Sequence, residues 1–237
     1  RNITAQQQRR RHVQVLQRIM RHNIRNDLTK LRGYVDLLKS DTDTDTREQR
    51  AATIREILDT WEKMANKSRE LQDILTDEGS PNSYQSVHKM IEEVQTKKQE
   101  EHTDPSVTIA TGRNIEAQIP SQLDRAISEL IENAIAANET DNHSVQLSAS
   151  QTDEQWVEIS VSDTGPGIPE MEKSLLETGE ETPLSHGQGL GLWMVRALTI
   201  RAGGSISVET SDEGSKIILE IPAKTAQEDS RKPSITS

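Results

Sequence analysis

The chain of 237 residues contains no cysteine and no phenylalanine, and only 2% of its residues are aromatic. Without cysteine there is no disulfide framework, no thiolate metal site and no cysteine nucleophile, so the fold needs no oxidising compartment. No run of about 18 apolar residues occurs, and the N-terminus lacks the apolar region of a signal peptide. The sequence therefore predicts a soluble, cytoplasmic segment.

Basic residues are also scarce, with 28 against 39 acidic ones and a formal net charge of −11. The charge is uneven, since ten basic but only two acidic residues lie within residues 1–40. Acid excess, more arginine than lysine and few aromatics are typical of proteins that stay hydrated in concentrated salt, where the Debye length shrinks to about 3 Å at molar strength. We expect a halophilic protein; an ordinary acidic protein is the alternative.

Apolar residues recur at helical spacing near the start of the chain. They are Leu16, Met20, Ile24, Leu28, Leu31, Val35 and Leu38. The pattern predicts a helix over residues 9–39, and residues 1–8 resemble the end of an upstream helix. His22 projects away from the apolar stripe, with Asn26 beside it on the wet face. A lone exposed histidine is usually an ordinary surface residue, so His22 needs support from elsewhere in the chain.

A second helix is predicted from about residue 47 to 75, after an aspartate- and threonine-rich turn in which we expect a threonine to cap the helix. Its predicted buried stripe is Ile54, Ile57, Leu58, Trp61, Met64, Ala65, Leu71 and Leu75. A single hairpin of two such helices is too thin to bury both stripes. We expect residues 9–76 to pair with a second copy in a dimeric four-helix bundle. A lone hairpin packed on the following domain is the alternative.

Beyond a linker at residues 77–85, helix and strand patterns mix, which predicts an α+β sandwich with a mixed, largely antiparallel sheet over residues 86–222. Residues 223–237 are expected to be a disordered tail. The predicted helices lie at about 86–100, 121–139 and 189–202, and the predicted strands at 106–111, 115–119, 144–150, 155–162, 204–210 and 215–221.

Three motifs in this second domain are each weak alone. On the helix 121–139, Glu129 and Asn133 share one face at i, i+4, and an asparagine carbonyl is a hard oxygen ligand that suits Mg²⁺. A strand then ends with Asp163, Gly165 and Gly167, where a carboxylate can accept a hydrogen bond from an adenine amino group.

The third motif is a glycine-rich segment that opens a helix. It contains Gly187, Gly189, Leu190 and Gly191. Backbone N–H groups of such a loop, ending at a helix N-terminus, cradle phosphate oxygens. The segment is neither a Walker loop nor a G-x-G-x-x-G dinucleotide turn. In isolation, each of these motifs is more often an ordinary turn or a polar surface.

In this order, the three motifs resemble the nucleotide-binding boxes of the ATPase fold shared by histidine kinases, DNA gyrase, MutL-type repair proteins and ninety-kilodalton heat-shock chaperones. The resemblance extends over most of residues 84–222. It implies ATP binding with Glu129 in the site, Mg²⁺ on Asn133, adenine on Asp163, and Ser215 where the family often has a threonine on the adenine side. It also implies that Gly165 and Gly167 form the base pocket and that Gly187, Gly189 and Gly191 hold the phosphates.

The segment from residue 21 to 28, with the sequence RHNIRNDL, resembles the histidine box of sensor histidine kinases. The resemblance makes His22 the phosphoacceptor and a response regulator the partner, and it places Asn26 where the family orients water for removing phosphate from the regulator. It also implies a homodimer and an upstream PAS-like sensor. The whole chain is similar to histidine kinases of salt-loving archaea.

Some positions depart from the family pattern. Asn23 stands where the family has an acidic residue that helps to accept the histidine proton, and Asp27 stands where it has proline. The lid phenylalanine is absent. An ATP-hydrolysing conformational clamp, with Glu129 activating water, and a non-catalytic nucleotide-binding scaffold are the alternatives. No nucleic-acid partner is expected, because no aromatics interleave with the basic residues.

Overall fold

The structure is a computed structural model, which describes residues 24–40, 43–76, 83–101, 107–111, 115, 117–137, 144–153, 155–179 and 189–225. Its packing divides the chain into two compact units. One unit contains the two helices that precede residue 78, and the other contains two β-sheets with their covering helices. Within the described residues, no helix combines the length and apolar character needed to cross a bilayer.

The first unit contains helix α1, described over residues 24–40, and helix α2, Thr44–Thr76. Asp43 caps α2, because its Oδ2 atom accepts hydrogen bonds from the Thr46 hydroxyl at 2.6 Å and the Thr46 N–H at 2.9 Å. These bonds lower the pKa of Asp43. The expectation that a threonine caps this helix is therefore wrong, since the aspartate carboxylate takes the orphan N–H of the first turn.

The predicted apolar stripes of α1 and α2 are only partly covered within this chain. On α1, Leu28 is 57% exposed and Val35 is 43% exposed, and Leu58 on α2 is 52% exposed. Among the stripe residues of α2 whose side chains the structure describes, Met64 and Leu71 are buried. Exposure of Leu58 in a single copy agrees with the expectation that one hairpin is too thin to bury both stripes.

The second unit is built on a five-stranded sheet in the order β2-β4-β5-β7-β6. All neighbours are antiparallel except β2 and β4, which are parallel, so the sheet is mixed and largely antiparallel as predicted. A three-stranded antiparallel sheet has the order β1-β3-β8. The strands are β1 (Tyr84–Ser86), β2 (Val107–Thr111), β3 (Ala117–Pro120), β4 (Val145–Asp153), β5 (Trp156–Asp163), β6 (Ser205–Ser211), β7 (Gly214–Pro222) and β8 (Lys224–Thr225).

The helices of this unit are α3 (Val87–Glu101), α4 (Leu123–Ala137), α5 (Glu170–Glu177) and α6 (Gly189–Arg201). On the central strand β5 the alternate residues Val157, Ile159 and Val161 are buried, which is the period-two pattern of a sheet covered on one face. Helix α4 packs on β4 and β5, and α3 packs on α4. The α+β fold class is confirmed.

Three short elements were not predicted. Helix α5 follows Pro169 and has Glu170 and Glu172 in its first turn, which is a helix-start signal. Strands β1 and β8 are two or three residues long and exist through their pairing with β3. The predicted tail therefore begins too early, since Lys224 and Thr225 pair with Gln118 and Ala117.

Candidate functional site

Asp163 is the last residue of β5, the central strand of the larger sheet, and it lies between Val145 on β4 and Ser215 on β7. Its Oδ1 atom accepts a hydrogen bond from the Gly165 N–H at 2.8 Å. Burial raises the pKa of Asp163, although hydrogen bonds from the Gly165 and Ser215 N–H groups act in the opposite direction. The carboxylate is thus held in a fixed orientation at a partly desolvated strand end.

Two glycines allow the backbone to close around this strand end. Gly167 has φ +84°, and a Cβ there would lie 2.6 Å from the carbonyl oxygen of Ser211. Gly214 has φ +141°, and a Cβ there would collide with the backbone of Asp163. Both positions therefore exclude side chains by conformation and by space. Gly167 was predicted as part of the site, whereas Gly214 was missed, although the turn sequence around it was a signal.

A hydrogen bond joins the β6–β7 hairpin to the loop after Asp163. The Thr210 hydroxyl oxygen accepts the Ile168 N–H at 2.9 Å. The loop from Gly165 to Pro169 is therefore held from the side by a strand that lies more than forty residues later. No sequence pattern singles out Thr210, because the contact depends on the tertiary pairing of β6 with β7.

Glu129 and Asn133 lie on α4 and face the start of α6. A Cβ on Gly191 would collide with the Glu129 carboxylate and would lie 3.6 Å from Asn133 Nδ2. The absence of a side chain at Gly191 therefore lets α6 approach both polar groups. Since these two residues come from one motif and Gly191 from another, the structure brings together two motifs that are about sixty residues apart.

The glycine-rich segment opens a helix at the predicted position. Gly189 is the first residue of α6, and Leu190 is buried. Gly189 and Gly191 therefore lie in the first turn of α6. The reason for a glycine at position 191 is the approach of Glu129, which a loop pattern does not reveal. Gly187 lies outside the described residues.

The residues around Gly191 fit a magnesium ion and a phosphate group. Asn133 Nδ2 is buried and has no hydrogen-bond partner among the described residues. This nitrogen is a donor that suits a phosphate oxygen, whereas Mg²⁺ would be held by the Glu129 carboxylate and the Asn133 carboxamide oxygen, which are hard ligands. Across the part of the chain that the structure describes, no group of three acidic, histidine or cysteine side chains could hold a metal. A magnesium ion here would therefore depend on the nucleotide for further oxygens.

The residues predicted around the phosphoacceptor are placed only in part. His22 and Asn23 lie outside the described residues, and Asn26 is exposed near the described start of α1. Ser215 is buried and lies opposite Asp163 in the register of β5 and β7. Of the predicted nucleotide-site residues, Gly187 is the one that lies outside the described residues.

Comparison with known proteins gives a consistent picture of this unit. Residues 118–225 match the family model described as histidine kinase-, DNA gyrase B-, and HSP90-like ATPase. The signal transduction histidine-protein kinase/phosphatase MprB of Mycobacterium avium (strain 104) is 27% identical over an alignment of 209 residues that covers 82% of this chain and 39% of the relative. The chain thus spans about two fifths of the length of the curated relatives it matches.

Solved structures extend the likeness of fold to the whole chain. The histidine kinase ThkA, solved in complex with the response regulator protein TrrA, has a TM-score of 0.72 at 21% identity, covering 94% of this chain and 66% of ThkA. Full-length ShkA, solved with AMPPNP, has a TM-score of 0.61 at 20% identity, covering 89% of this chain and 46% of ShkA. The chain therefore has the histidine-kinase fold, a helical region followed by an α/β ATPase-type domain.

Proposed function

We propose that this chain is the core of a two-component sensor histidine kinase, an ATP-dependent phosphotransferase that moves the γ-phosphoryl group of ATP to His22 and then to an aspartate of a response regulator. The observation that carries the proposal is the convergence of Glu129, Asn133 and Gly191 in the same compact unit as the oriented Asp163 carboxylate. One group suits phosphate and Mg²⁺, and the other suits adenine.

The proposed site binds the two ends of ATP through different chemistry. Asp163 accepts a hydrogen bond from the adenine amino group. Gly167 and Gly214, which lack side chains, allow the protein backbone to pass close to the base. Asn133 and Glu129 hold Mg²⁺ and the phosphates at the start of α6. Bound Mg²⁺ would neutralise charge on the phosphate oxygens. In phosphoryl transfer, positioning and charge neutralisation supply most of the catalysis.

In the proposed reaction, the lone pair of a neutral His22 ring nitrogen attacks the γ-phosphorus in line. The bond from the γ-phosphorus to the β–γ bridging oxygen breaks, and ADP leaves with that electron pair. The remaining ring proton passes to solvent or to a carboxylate, since the neighbouring Asn23 amide is not a base. The product is a phosphohistidine. Asn26 is proposed to orient water when phosphate is removed from the regulator.

The assembly proposed for this kinase is a homodimer through α1 and α2. The apolar residues left exposed on these helices, including Leu28, Val35 and Leu58, support it. A second copy can cover them in a four-helix bundle. An upstream PAS-like sensor domain and a cytoplasmic location for this segment belong to the same proposal.

Labelling with γ-labelled ATP tests the proposed function. The chain is expected to acquire an acid-labile, alkali-stable label that disappears in His22→Gln and persists in the control His12→Gln. If the label is absent while labelled free phosphate accumulates equally in His22→Gln, the kinase proposal fails. That result would favour the ATP-hydrolysing clamp, which the position of the Glu129 carboxylate against Gly191 also fits.

The halophilic character is proposed from the net charge of −11 and tested by salt. Self-repulsion among acidic residues weakens as the screening length falls from about 10 Å at 0.1 M to about 3 Å at 1 M. We therefore expect the thermal unfolding midpoint to rise by several degrees between about 0.1 M and 2 M KCl. An unchanged or lower midpoint would identify an ordinary acidic protein.

A further inference from the structure

Arg196 on α6 contacts the C-terminal end of α5. Its Nη1 atom donates hydrogen bonds to the carbonyl oxygens of Leu176, at 2.6 Å, and Glu177, at 2.9 Å. The last carbonyls of a helix have no partner within that helix, and they form the negative end of its dipole. Burial lowers the pKa of Arg196, but a guanidinium stays charged at neutral pH. The contact is therefore a charged cap that joins two helices.

Gly179 makes room for this cap. Its φ of +75° ends α5 in a left-handed conformation, and a Cβ at this position would lie 2.6 Å from Nε of Arg196. The N–H of Gly179 donates to the carbonyl oxygen of Leu175 at 3.1 Å, as in a helix C-cap. The end of α5 is thus shaped around the Arg196 side chain.

A second contact fixes the same helix end to the larger sheet. The Glu177 Oε1 atom accepts the N–H of Val208 at 2.9 Å. Val208 belongs to β6, which is an edge strand of this sheet. The carboxylate therefore satisfies an N–H group at a sheet edge. With Arg196 on one side and β6 on the other, the C-terminal end of α5 is held at two points.

We propose that Arg196 is a positioning residue that sets the spacing between the adenine side and the phosphate side of the candidate nucleotide site. Helix α5 begins at Glu170, directly after the loop that carries Gly165 and Gly167, and the first turn of α6 contains Gly191, which faces Asn133. The cap thus joins the element that follows the adenine side to the element that forms the phosphate side. This inference rests on the proposed function.

Short and long ligands are expected to respond differently to loss of the Arg196 cap. Adenosine engages only the adenine side, so its binding does not depend on the spacing. ADP engages both sides, and a site whose two sides are held at the correct spacing avoids the free energy of ordering them on binding. Loss of the cap is therefore expected to weaken the binding of ADP more than that of adenosine.

The test compares Arg196→Met with Lys89→Met in the full chain. Lys89 is exposed on α3 and forms an ion pair with its helix neighbour Glu93 at 3.5 Å, so Lys89→Met is a control for the loss of one positive charge. Dissociation constants for adenosine and for ADP with Mg²⁺ are measured by NMR titration at fixed salt. We expect Arg196→Met to weaken ADP about tenfold, with adenosine within about twofold, and Lys89→Met to change neither.

Equal weakening of both ligands would overturn the proposal, because it is the result of a general loss of folding. Unchanged ADP affinity would overturn it too. If Arg196→Met does not fold, Arg196→Lys serves instead, since a lysine keeps the charge but lacks the planar fork; ADP must again weaken more than adenosine. A wild-type chain that fails to bind ADP contradicts the proposed function itself, whereas a variant that binds ADP like the wild type contradicts only this inference.

Discussion

The two units of the chain differ in how completely they bury their apolar residues. In the second unit, the sheet and its helices enclose a continuous core in which Leu147, Ile159 and Leu219 have no exposed surface. In the first unit, long apolar side chains such as Leu28 and Leu58 remain more than half exposed. The second unit therefore buries its apolar residues within one copy, whereas the described helices of the first leave apolar surface that the proposed second copy would cover.

The largest effect is expected from a charge placed on the exposed apolar stripe of α1. Leu28→Glu removes apolar area from both copies of a dimer and forces two carboxylates into the interface. We expect the dimer to weaken by about 3 kcal/mol, or more than a hundredfold in Kd. Sedimentation equilibrium measures the change, and Thr29→Glu on the same helix is the control. A dimer that is indifferent to Leu28→Glu would show that these helices do not form its interface.

In the second unit, a change at a buried ion pair is expected to lower the free energy of unfolding. Lys98 on α3 is 1% exposed and forms an ion pair of 2.6 Å with Glu132 on α4, whose side chain is 40% exposed. Glu132→Leu takes a counter-charge from a buried ammonium group, so we expect a loss of about 2 kcal/mol in the free energy of unfolding. Denaturant unfolding measures it.

Lys98→Met is the matched control for that pair. It leaves only a half-exposed carboxylate, which water can solvate, so it should be the milder change, and the double variant should recover most of the loss. If Lys98→Met were the more damaging single change, burial of the lysine charge would not be the reason for the pair. With either Glu132→Leu or Lys98→Met, the proposed dimer of the first unit should persist.

A change at Asp163 is expected to weaken nucleotide binding without lowering the stability of the second unit. The pKa of Asp163 is raised by burial, so the folded state binds this proton more tightly than the unfolded state. Protonation of Asp163 therefore stabilises the folded state. This contribution is fully present below the ordinary carboxyl pKa, and it is lost as pH rises through the raised pKa of the folded state. At neutral pH, Asp163→Asn should therefore not lower the unfolding midpoint.

The same variant should weaken ATP binding about tenfold or more, since the asparagine amide presents a donor as well as an acceptor to the adenine amino group. Calorimetry measures the affinity, and thermal unfolding from neutral pH down to about pH 4 measures the stability. The stability advantage of the variant should shrink as pH falls through that range. A variant that binds ATP like the wild type would remove Asp163 from the adenine side.

The sequence predicted the larger elements because their patterns are local. The period-two alternation of β5 and the helical spacing in α4 required no knowledge of the rest of the chain. The same holds for the shared helix face of Glu129 and Asn133. The structure adds what lies against them, since Gly191 meets these two side chains only after α6 has packed beside α4.

What escaped prediction depends on distant contacts. Strand β8 exists because it pairs with β3, and Arg196 is a helix cap only because α5 ends beside α6. Thr210 similarly acquires its role by accepting a hydrogen bond from Ile168. Exposure of the α1 stripe was predictable in principle, because two amphipathic helices cannot cover each other on all sides, but which residues remain open is a matter of packing.

Transfer of a phosphoryl group from ATP to one histidine is the central step of the proposed function. Fragment analysis by mass spectrometry, carried out at neutral pH or above after incubation with Mg²⁺ and ATP, locates that group along the chain. The prediction is a single added phosphoryl group on the fragment that contains His22, lost in His22→Gln and, at ATP concentrations below saturation, reduced in Asp163→Asn. A phosphoryl group on a serine or threonine, or an unmodified chain in a solution where ATP is consumed, would contradict it.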